Sequence, residues 1–321
     1  MNASGLQVRV ARKTIEAVDI ACFELVRDDG QPLPAFSAGS HVDVHLPGGL
    51  TRQYSLCNDS TDSHRYMIGV LRDAGSRGGS LALHEQVAEG DMLHIGMPKN
   101  HFPLAHGATH SLLIAGGIGV TPILCMAERL AVTGAPFTMH YCARSTERAA
   151  FRHRIATSSF VAQVAFHFDD GADTQKFEPE TILSCVQPGV HLYVCGPKGF
   201  MERVLSTARS AGWPEAQLHC EFFGAEIAPS ESDESFHIKL ASSGRVIAVK
   251  KDQTVVQALA EAGVEIATSC EQGVCGTCLT RVLDGEPDHK DMYLTPEEQA
   301  ANDQFTPCCS RAKSRMLVLD L

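Results

Sequence analysis

The chain is short of basic residues and of aromatic side chains. It holds 27 lysines and arginines against 38 aspartates and glutamates, a formal net charge of −11, and only 6% of its 321 residues are aromatic. Nucleic acids and anionic membranes are bound mainly through basic surfaces, so this charge argues against both as partners. It is compatible with a protein partner that docks with a basic patch.

We also expect no segment that targets or anchors the chain. Residues 1–5 contain no basic stretch and no apolar run, so we expect no secretory signal. No run of about 18 apolar residues occurs, so we expect no membrane-spanning helix. We find no internal repeat and no low-complexity tract. The length of 321 residues is enough for two or three globular domains.

Cysteine, in contrast, is abundant, with 12 residues. Four of them form the motif C-x₄-C-x₂-C-x₂₉-C, namely Cys270, Cys275, Cys278 and Cys308. This is the spacing of a plant-type [2Fe–2S] ferredoxin, in which one tight loop supplies three thiolates and a distant strand supplies the fourth. Gly273 and Gly276 would let the loop wrap around a cluster without side-chain clashes. We therefore predict a [2Fe–2S] centre.

Two alternatives stay open at this motif. Clustered cysteines can also bind zinc, although zinc sites usually pair two C-x₂-C units or add histidine. Cys309 adjoins Cys308 and can compete as the fourth ligand, but the interval from Cys278 favours Cys308. The remaining cysteines are expected to be reduced thiols, which predicts a cytoplasmic protein.

Residues 6–103 alternate short apolar strands with turn signals, a pattern typical of a small antiparallel β-barrel. One motif on this barrel is Arg52-Gln-Tyr54-Ser55. An arginine here can clamp a phosphate, an aromatic ring can stack on a flat ring, and a hydroxyl can hydrogen-bond a ring nitrogen. Tyr54 is equally well explained as an ordinary cross-strand aromatic residue.

The second motif on the barrel is Ser76-Arg-Gly78-Gly79-Ser80, which precedes an apolar helix. The free N–H groups at the start of such a helix favour an anion. The alternative is a plain glycine-rich turn with Ser80 as the helix N-cap. Taken together, the two motifs predict a flavin site with its phosphate at the helix start.

At residue 111 the pattern changes to a continuous apolar run, which indicates a buried parallel strand. The run leads into Gly116-Gly117-Ile-Gly119-Val-Thr121-Pro122 and then into an apolar helix. Such a strand–glycine turn–helix presents amides to a pyrophosphate. Pro122 stands where G-x-G-x-x-G has its third glycine, so we do not expect an ordinary Rossmann dehydrogenase.

Further alternation of strands and helices up to residue 222 predicts an α/β sheet with ligands at the C-terminal ends of its strands. Arg144 can bind a ribose or phosphate there, or lie in a plain surface loop. Asp169 can accept a ribose 2′-hydroxyl, which would favour NADH over NADPH, or belong to a turn. Cys195 and Gly196 end a strand where small side chains would let a nicotinamide approach. Predicted elements include the strand Phe137–Ala143 and the helices Thr146–Thr157, Lys198–Ser210 and Pro296–Ala301, the last with Thr295 as its N-cap.

Four motifs occur in the order seen in phthalate dioxygenase reductase and vanillate demethylase reductase: those that begin at Arg52, Gly116 and Cys195, and the cysteine motif Cys270–Cys308. The chain resembles this family over nearly its whole length. With the pattern of strands and helices, the resemblance implies a multidomain protein. An antiparallel β-barrel would bind FMN over residues 1–105, and an α/β domain of the ferredoxin–NADP reductase type would bind NADH over residues 106–225. A linker over 226–235 would lead to an α+β plant-type [2Fe–2S] ferredoxin domain of the β-grasp type over 236–321.

The resemblance also implies roles for single residues. The barrel motif would contact the flavin, with Arg52 at the phosphate region, Tyr54 stacked on the ring and Ser55 near N5. Phosphate groups would lie against two glycine turns, with Gly78, Gly79 and Ser80 for FMN and Gly117, Gly119 and Thr121 for NADH. Cys195 and Gly196 would lie beside the nicotinamide. Phe223 would shield the flavin until nicotinamide displaces it, or simply pack at a strand end.

NADH gives up two electrons as a hydride, whereas a [2Fe–2S] cluster accepts one, so a flavin is expected to stand between them. Our hypothesis is hydride transfer from NADH to FMN, then two single-electron steps through the cluster to an external acceptor. By resemblance, that acceptor is the Rieske centre of a terminal oxygenase, and we expect the chain to be a monomer. The alternatives are a reductase for another monooxygenase or ferredoxin-type acceptor, and an iron–sulfur redox sensor without enzymatic activity.

Overall fold

The computed structural model describes residues 5–46, 50–73, 78–184, 186–223, 233–268, 271 and 273–321. The chain divides into two compact units, Met1–Glu221 and Phe222–Leu321. Three predicted features lie outside the described residues: Ser76 with Arg77, most of the linker over 226–235, and the cluster ligand Cys270. The three-domain boundaries therefore stay predictions.

Seven strands in the first part of the chain form an antiparallel sheet: β1 (Leu6–Ala17), β2 (Ile20–Val26), β3 (Ser40–His45), β4 (Thr51–Ser55), β5 (Tyr66–Leu71), β6 (Met92–Ile95) and β7 (Lys99–Asn100). Their order is β4-β3-β6-β1-β2-β5, with β7 paired to β3. A bridge between Leu56, just after β4, and Ile68 of β5 joins the two edges, so the sheet closes into the predicted barrel. The helix α1 (Gly79–Gln86) follows β5.

The second sheet of this unit is parallel, as its continuous apolar runs predict. Its strands are β8 (His110–Gly116), β9 (Phe137–Ala143), β10 (Val164–Phe168), β11 (Val190–Cys195) and β12 (Leu218–Glu221), in the order β10-β9-β8-β11-β12. The connecting helices are α2 (Val120–Thr133), α3 (Arg152–Ala156), α4 (Pro179–Ile182) and α5 (Lys198–Ser210). One apolar core joins α2 and this sheet to barrel residues such as Cys22 and Cys57, so the two sheets share a single interior.

The single helix predicted over Thr146–Thr157 is wrong. The segment holds a short 3₁₀ turn over Thr146–Arg148 and then α3, which starts only at Arg152. Between them Phe151 has a left-handed φ of 60° and is buried in the shared core. One left-handed residue costs about 1–2 kcal/mol. Burial of the Phe151 ring in the apolar core offsets this cost, so the helix is interrupted here despite the helix propensity of the flanking residues.

The second unit contains the strands β13 (Phe236–Leu240), β14 (Val246–Val249), β15 (Thr280–Asp284), β16 (Pro287–Asp288), β17 (Gln304–Phe305), β18 (Arg311–Ala312) and β19 (Met316–Leu319). Five of them form a mixed sheet in the order β14-β13-β19-β15-β17, and β16 pairs with β18. The helices α6 (Val255–Glu261) and α7 (Pro296–Ala301) both begin with a threonine capping box, at Thr254 and Thr295. The predicted N-cap at Thr295 is thereby confirmed.

None of the helices in the described part of the chain combines the length and the apolar character needed to cross a bilayer.

Candidate functional site

All five strands of the parallel sheet end at one edge, because they run in the same direction. The residues predicted to bind NADH follow these ends in spatial order, with Asp169 after β10, Arg144 after β9, the turn 116–121 after β8, and Cys195 with Gly196 at β11. They are separated by up to 80 positions along the chain and share one edge in space. This is where α/β sheets bind ligands.

Two of these strand ends meet backbone to backbone. A Cβ on Gly119 would lie 2.2 Å from the carbonyl oxygen of Cys195, and a Cβ on Gly196 would lie 3.0 Å from the Cα of Gly116. Gly117 has a φ of 54°, a conformation that glycine adopts most readily. Within the described residues no side chain caps the start of α2, and the N–H of its first residue, Val120, donates to the carbonyl oxygens of Gly117 and Ile118. An added Cβ on Gly117 would meet nothing within 4 Å, so the space beside this turn fits a pyrophosphate.

Thr121 and Cys195 are both buried, at 1% and 0% exposure. The hydroxyl of Thr121 donates to the carbonyl oxygen of Ile118 over 3.1 Å, so it holds the turn in shape. Burial, and secondarily the nearby carboxylate of Glu221, raise the pKa of the Cys195 thiol well above its ordinary value. Cys195 thus stays protonated, and its role at this edge is that of a small, neutral side chain.

Arg144 and Asp169 lie at the ends of adjacent strands, and both are exposed. The N–H of Asp169 donates to Ala143 over 3.1 Å, and the N–H of Asp170 donates to Arg144 over 3.2 Å. Lys176 donates its ammonium to the main-chain oxygen of Asp169. The loops that carry the predicted ribose contacts are therefore tied to each other by main-chain bonds.

The flavin motif of the barrel reaches the same sheet edge. Ser55, at the end of β4, donates its hydroxyl to Oε2 of Glu221, the last residue of β12, over 3.0 Å. His41 of β3 pairs with Ser55 on the neighbouring strand β4, and its Nδ1 lies 4.0 Å from Oε1 of the same carboxylate. The group predicted to lie near flavin N5 is therefore joined to the edge where the nicotinamide is expected.

Glu221 is the functional candidate that the sequence reading did not single out. Only 14% of its side chain is exposed, and burial raises the pKa of its carboxyl group to about 7, although the hydrogen bond from Ser55 lowers it. A carboxyl group with this pKa can hold or release a proton near neutral pH. Its place at the end of a predicted strand was the available signal, but nothing in the sequence indicated its contact with a barrel residue 166 positions away.

The predicted FMN phosphate site combines the start of α1 with Arg52. Gly78 precedes the helix with a φ of 90°, and a Cβ on Gly79 would lie 2.6 Å from Cγ of Arg52. The arginine side chain thus crosses directly over the first helical residue. A cation beside open helix N–H groups fits a phosphate.

Ser80 does not cap this helix, which was the alternative for its role. The helix begins at Gly79, the N-cap position is Gly78, and Ser80 accepts a hydrogen bond from the N–H of Asp73 over 3.3 Å. Gly78 can take the left-handed conformation at the N-cap, which a serine would adopt only with strain.

Tyr54 stands on β4, paired with Val42, and packs against the barrel core while staying partly exposed. Burial raises the pKa of its phenol well above the ordinary value, so the ring is neutral at all working pH values. Both readings of Tyr54, as ring-stacking residue and as cross-strand aromatic, fit this position. Phe223, the second residue of the second unit, has 38% of its surface exposed, and its shielding role stays a prediction.

The described cysteines of the cluster motif lie in the second unit. Cys278 and Cys308 are buried in one apolar group with Cys309, packed against Val256 and Ile266. Cys275 is partly exposed and contacts the hydroxyl of Thr277 over 3.2 Å. These thiols fit an iron–sulfur cluster in type, and Cys270 lies outside the described residues.

Both glycines of the cysteine loop have positive φ, 73° at Gly273 and 67° at Gly276. A Cβ on Gly273 would lie 2.4 Å from Sγ of Cys309, and one on Gly276 would lie 2.2 Å from the ring of Tyr293. The missing side chains at these two positions make room for the Cys309 sulfur and the Tyr293 ring, so the loop can adopt this fold only with glycine there.

Comparison with known protein families gives two matches. Residues 238–313 match the 2Fe-2S iron-sulfur cluster binding domain. Residues 98–218 match the N-terminal domain of dimethylamine monooxygenase subunit DmmA-like proteins.

Similar proteins cover the chain from end to end. Vanillate O-demethylase oxidoreductase of Pseudomonas sp. (strain HR199 / DSM 7063) is 54% identical over 98% of this chain and 100% of its own length. Phthalate dioxygenase reductase of Burkholderia cepacia is 38% identical over 98% of this chain and 97% of its own. A solved phthalate dioxygenase reductase, described as a modular structure for electron transfer from pyridine nucleotides to [2Fe-2S], matches 99% of this chain and 98% of its own with a TM-score of 0.82 and 38% identity.

Proposed function

The chain belongs to the family of phthalate dioxygenase reductase and vanillate O-demethylase oxidoreductase, and we propose that it is the NADH-dependent reductase component of a Rieske-type oxygenase. It is an oxidoreductase whose cofactors are FMN, NADH and a [2Fe–2S] cluster. The proposal includes a cytoplasmic monomer that meets the oxygenase as a separate protein.

One contact carries the proposal. Ser55 of the barrel donates to Glu221 at the edge of the parallel sheet, so the flavin motif and the nucleotide motif converge inside one compact unit. An electron donor and a flavin that react directly must lie within about 3–3.5 Å, which requires such convergence. The ferredoxin motif in the same chain supplies the acceptor.

The chain's own residues bind and orient. Gly117 and Gly119 would hold the pyrophosphate of NADH, Cys195 and Gly196 would leave space for the nicotinamide, and Arg52 would hold the FMN phosphate. Ser55 would hydrogen-bond the flavin ring, and the carboxyl group of Glu221 would accept the hydrogen bond that the Ser55 hydroxyl donates. When bound, the flavin supplies the chemistry that turns the two electrons of NADH into two single-electron steps to the cluster.

Within the oxygenase class, the similarity favours an O-demethylase partner. Vanillate O-demethylase oxidoreductases are 52–55% identical to this chain, whereas the phthalate dioxygenase reductases are 38–39% identical. We therefore propose that the partner removes a methyl group from a methoxylated aromatic acid.

Reconstitution with purified oxygenase components tests this proposal. The chain, NADH, O₂ and the oxygenase component of vanillate O-demethylase should release formaldehyde from vanillate, with one NADH and one O₂ consumed for each formaldehyde formed. The oxygenase component of phthalate dioxygenase is the matched control and should be reduced at least tenfold more slowly. Equal rates with both, or none with either, would contradict the assignment of the partner.

A second candidate, the reductase of another monooxygenase, has some support. The reductase subunit of tert-butanol monooxygenase from Aquincola tertiaricarbonis is 43% identical over 99% of this chain. Formaldehyde release with the vanillate system, at rates that saturate with the oxygenase, would decide against it. The redox-sensor alternative finds no support, since the full-length relatives are named as oxidoreductases or oxygenase subunits.

A further inference from the structure

A buried carboxylate, Asp291, lies between the two parts of the cluster motif. Its side chain has 0% exposure. Its Oδ2 accepts hydrogen bonds from the N–H groups of Tyr293, over 3.2 Å, and Leu294, over 2.8 Å. Burying a carboxylate is costly unless it is hydrogen-bonded, and these two bonds, which form an Asx turn, offset part of that cost. His289 Nδ1 lies 3.4 Å from the other oxygen, Oδ1.

The segment around Asp291 packs onto the loop that carries three of the predicted ligands. The N–H of Met292 donates to the carbonyl oxygen of Gly273 over 3.0 Å. A Cβ on Gly273 would lie 3.1 Å from both Cα and Cβ of Asp291, so the loop backbone rests directly on this residue. Any shift of Asp291 would therefore shift the loop.

The other oxygen of the carboxylate reaches the segment that carries the fourth ligand. Oδ1 accepts a hydrogen bond from the hydroxyl of Ser310 over 3.3 Å. Ser310 lies 3.0 Å from the hydroxyl of Thr306, and Thr306 lies 3.1 Å from Sγ of Cys309. These contacts link Asp291, through Ser310 and Thr306, to the residue beside the predicted ligand Cys308.

We propose that Asp291 is a positioning residue for the [2Fe–2S] cluster, which holds the loop at Gly273 and the Thr306–Ser310 segment in register so that their thiolates meet one cluster. The inference rests on the proposed function, which requires a cluster. It goes beyond that function by naming the residue that joins the two halves of the ligand set.

The test compares three variants with the parent protein in the full chain. Asp291→Ala should lose iron to a chelator about tenfold faster, since it removes every hydrogen bond of the buried carboxylate, and its reduced-cluster electron paramagnetic resonance spectrum should broaden. Asp291→Asn keeps an acceptor for both N–H groups and should restore a rate near that of the parent. Ser310→Ala removes the bonds of the Ser310 hydroxyl to Asp291, Thr306 and Lys290 but leaves both N–H bonds of Asp291. It should give an intermediate rate, which keeps the test valid if Asp291→Ala fails to assemble a cluster.

Asp320→Ala is the control. Asp320 is an exposed aspartate of the same unit whose ion-pair partner is Arg281, 3.9 Å away, and not a residue beside Asp291 or Ser310. It should leave iron loss and the resonance spectrum unchanged. Iron loss and spectra of Asp291→Ala equal to those of the parent would overturn the proposal, and so would equal effects of Asp291→Ala and Asp320→Ala. A parent protein without iron and sulfide would overturn both this inference and the proposed function, whereas a loaded parent with an unaffected Asp291→Ala variant would overturn only this inference.

Discussion

At the scale of single residues, Glu221 makes the stability of the first unit depend on pH. Its carboxyl pKa is about 7 in the folded chain against an ordinary 4.5. The folded form keeps the proton between these values and the unfolded form releases it, so the contribution of Glu221 to stability falls as pH rises from 4.5 to 7. Glu221→Gln, which cannot ionise, should therefore exceed the parent in stability above pH 7 by up to about 3 kcal/mol.

Thermal unfolding followed across the pH range measures this difference. The gain should vanish below pH 4.5, where the parent carboxyl group is protonated in both states. Glu215→Gln is the control, because Glu215 is exposed and its pKa is lowered by Arg209 rather than raised. Parallel pH profiles for the parent and Glu221→Gln would contradict the burial argument.

The neighbouring residues Cys308 and Cys309 allow a second prediction at this scale. Cys309 contacts Thr306 and Ser310, whereas the interval from Cys278 favours Cys308 as the fourth ligand. Cys308→Ala should purify without a stable [2Fe–2S] centre, whereas Cys309→Ala should keep it. Iron and sulfide analysis with visible absorption gives the readout, and the two variants serve as each other's control. A cluster retained in Cys308→Ala and lost in Cys309→Ala would reverse the ligand assignment.

At the scale of secondary-structure elements, the turns between strands and helices shape the nucleotide edge. Gly119→Ala would bring a methyl group 2.2 Å from the Cys195 carbonyl oxygen, so the ends of β8 and β11 would have to separate. Forced overpacking of this kind costs about 1–3 kcal/mol. We expect a KM for NADH at least tenfold higher, measured with ferricyanide as electron acceptor so that the oxygenase plays no part.

Gly199→Ala is the control for this substitution. Gly199 lies in the first turn of α5 with nothing within 4 Å of its added Cβ, and its backbone is helical. The substitution should leave the KM for NADH unchanged and should raise the free energy of unfolding slightly, by up to about 1 kcal/mol. A Gly119→Ala enzyme with parental KM would show that the two turns need not touch for NADH to bind.

Elements with a strong local signal were predictable from sequence. The strand Phe137–Ala143 and the helices Lys198–Ser210 and Pro296–Ala301 have the expected bounds, because apolar periodicity and capping residues mark them. The strand β2 was missed, since Ile20-Ala-Cys-Phe23 is buried on both faces and does not alternate. The broken helix at Phe151 was missed because its cause is tertiary packing.

At the scale of the whole molecule, the cofactor set was predictable because each cofactor leaves a local motif. The cysteine spacing indicated the cluster, and the glycine turns indicated phosphate groups. Contacts between distant segments were not predictable, as the bonds from Ser55 to Glu221 and from Asp291 to Ser310 show. These pairs depend on how the barrel meets the sheet and how the cluster loop meets its last strand, which no local pattern encodes.

The central claim is that one chain carries electrons from NADH through a flavin to a [2Fe–2S] cluster. An anaerobic titration with NADH, followed by flavin absorption and by electron paramagnetic resonance of the cluster, measures this directly. Full reduction should need about one and a half NADH molecules per chain, because the flavin takes two electrons and the cluster one. Cys308→Ala should need about one. A flavin that bleaches while the cluster of the parent protein stays oxidised would contradict the claim.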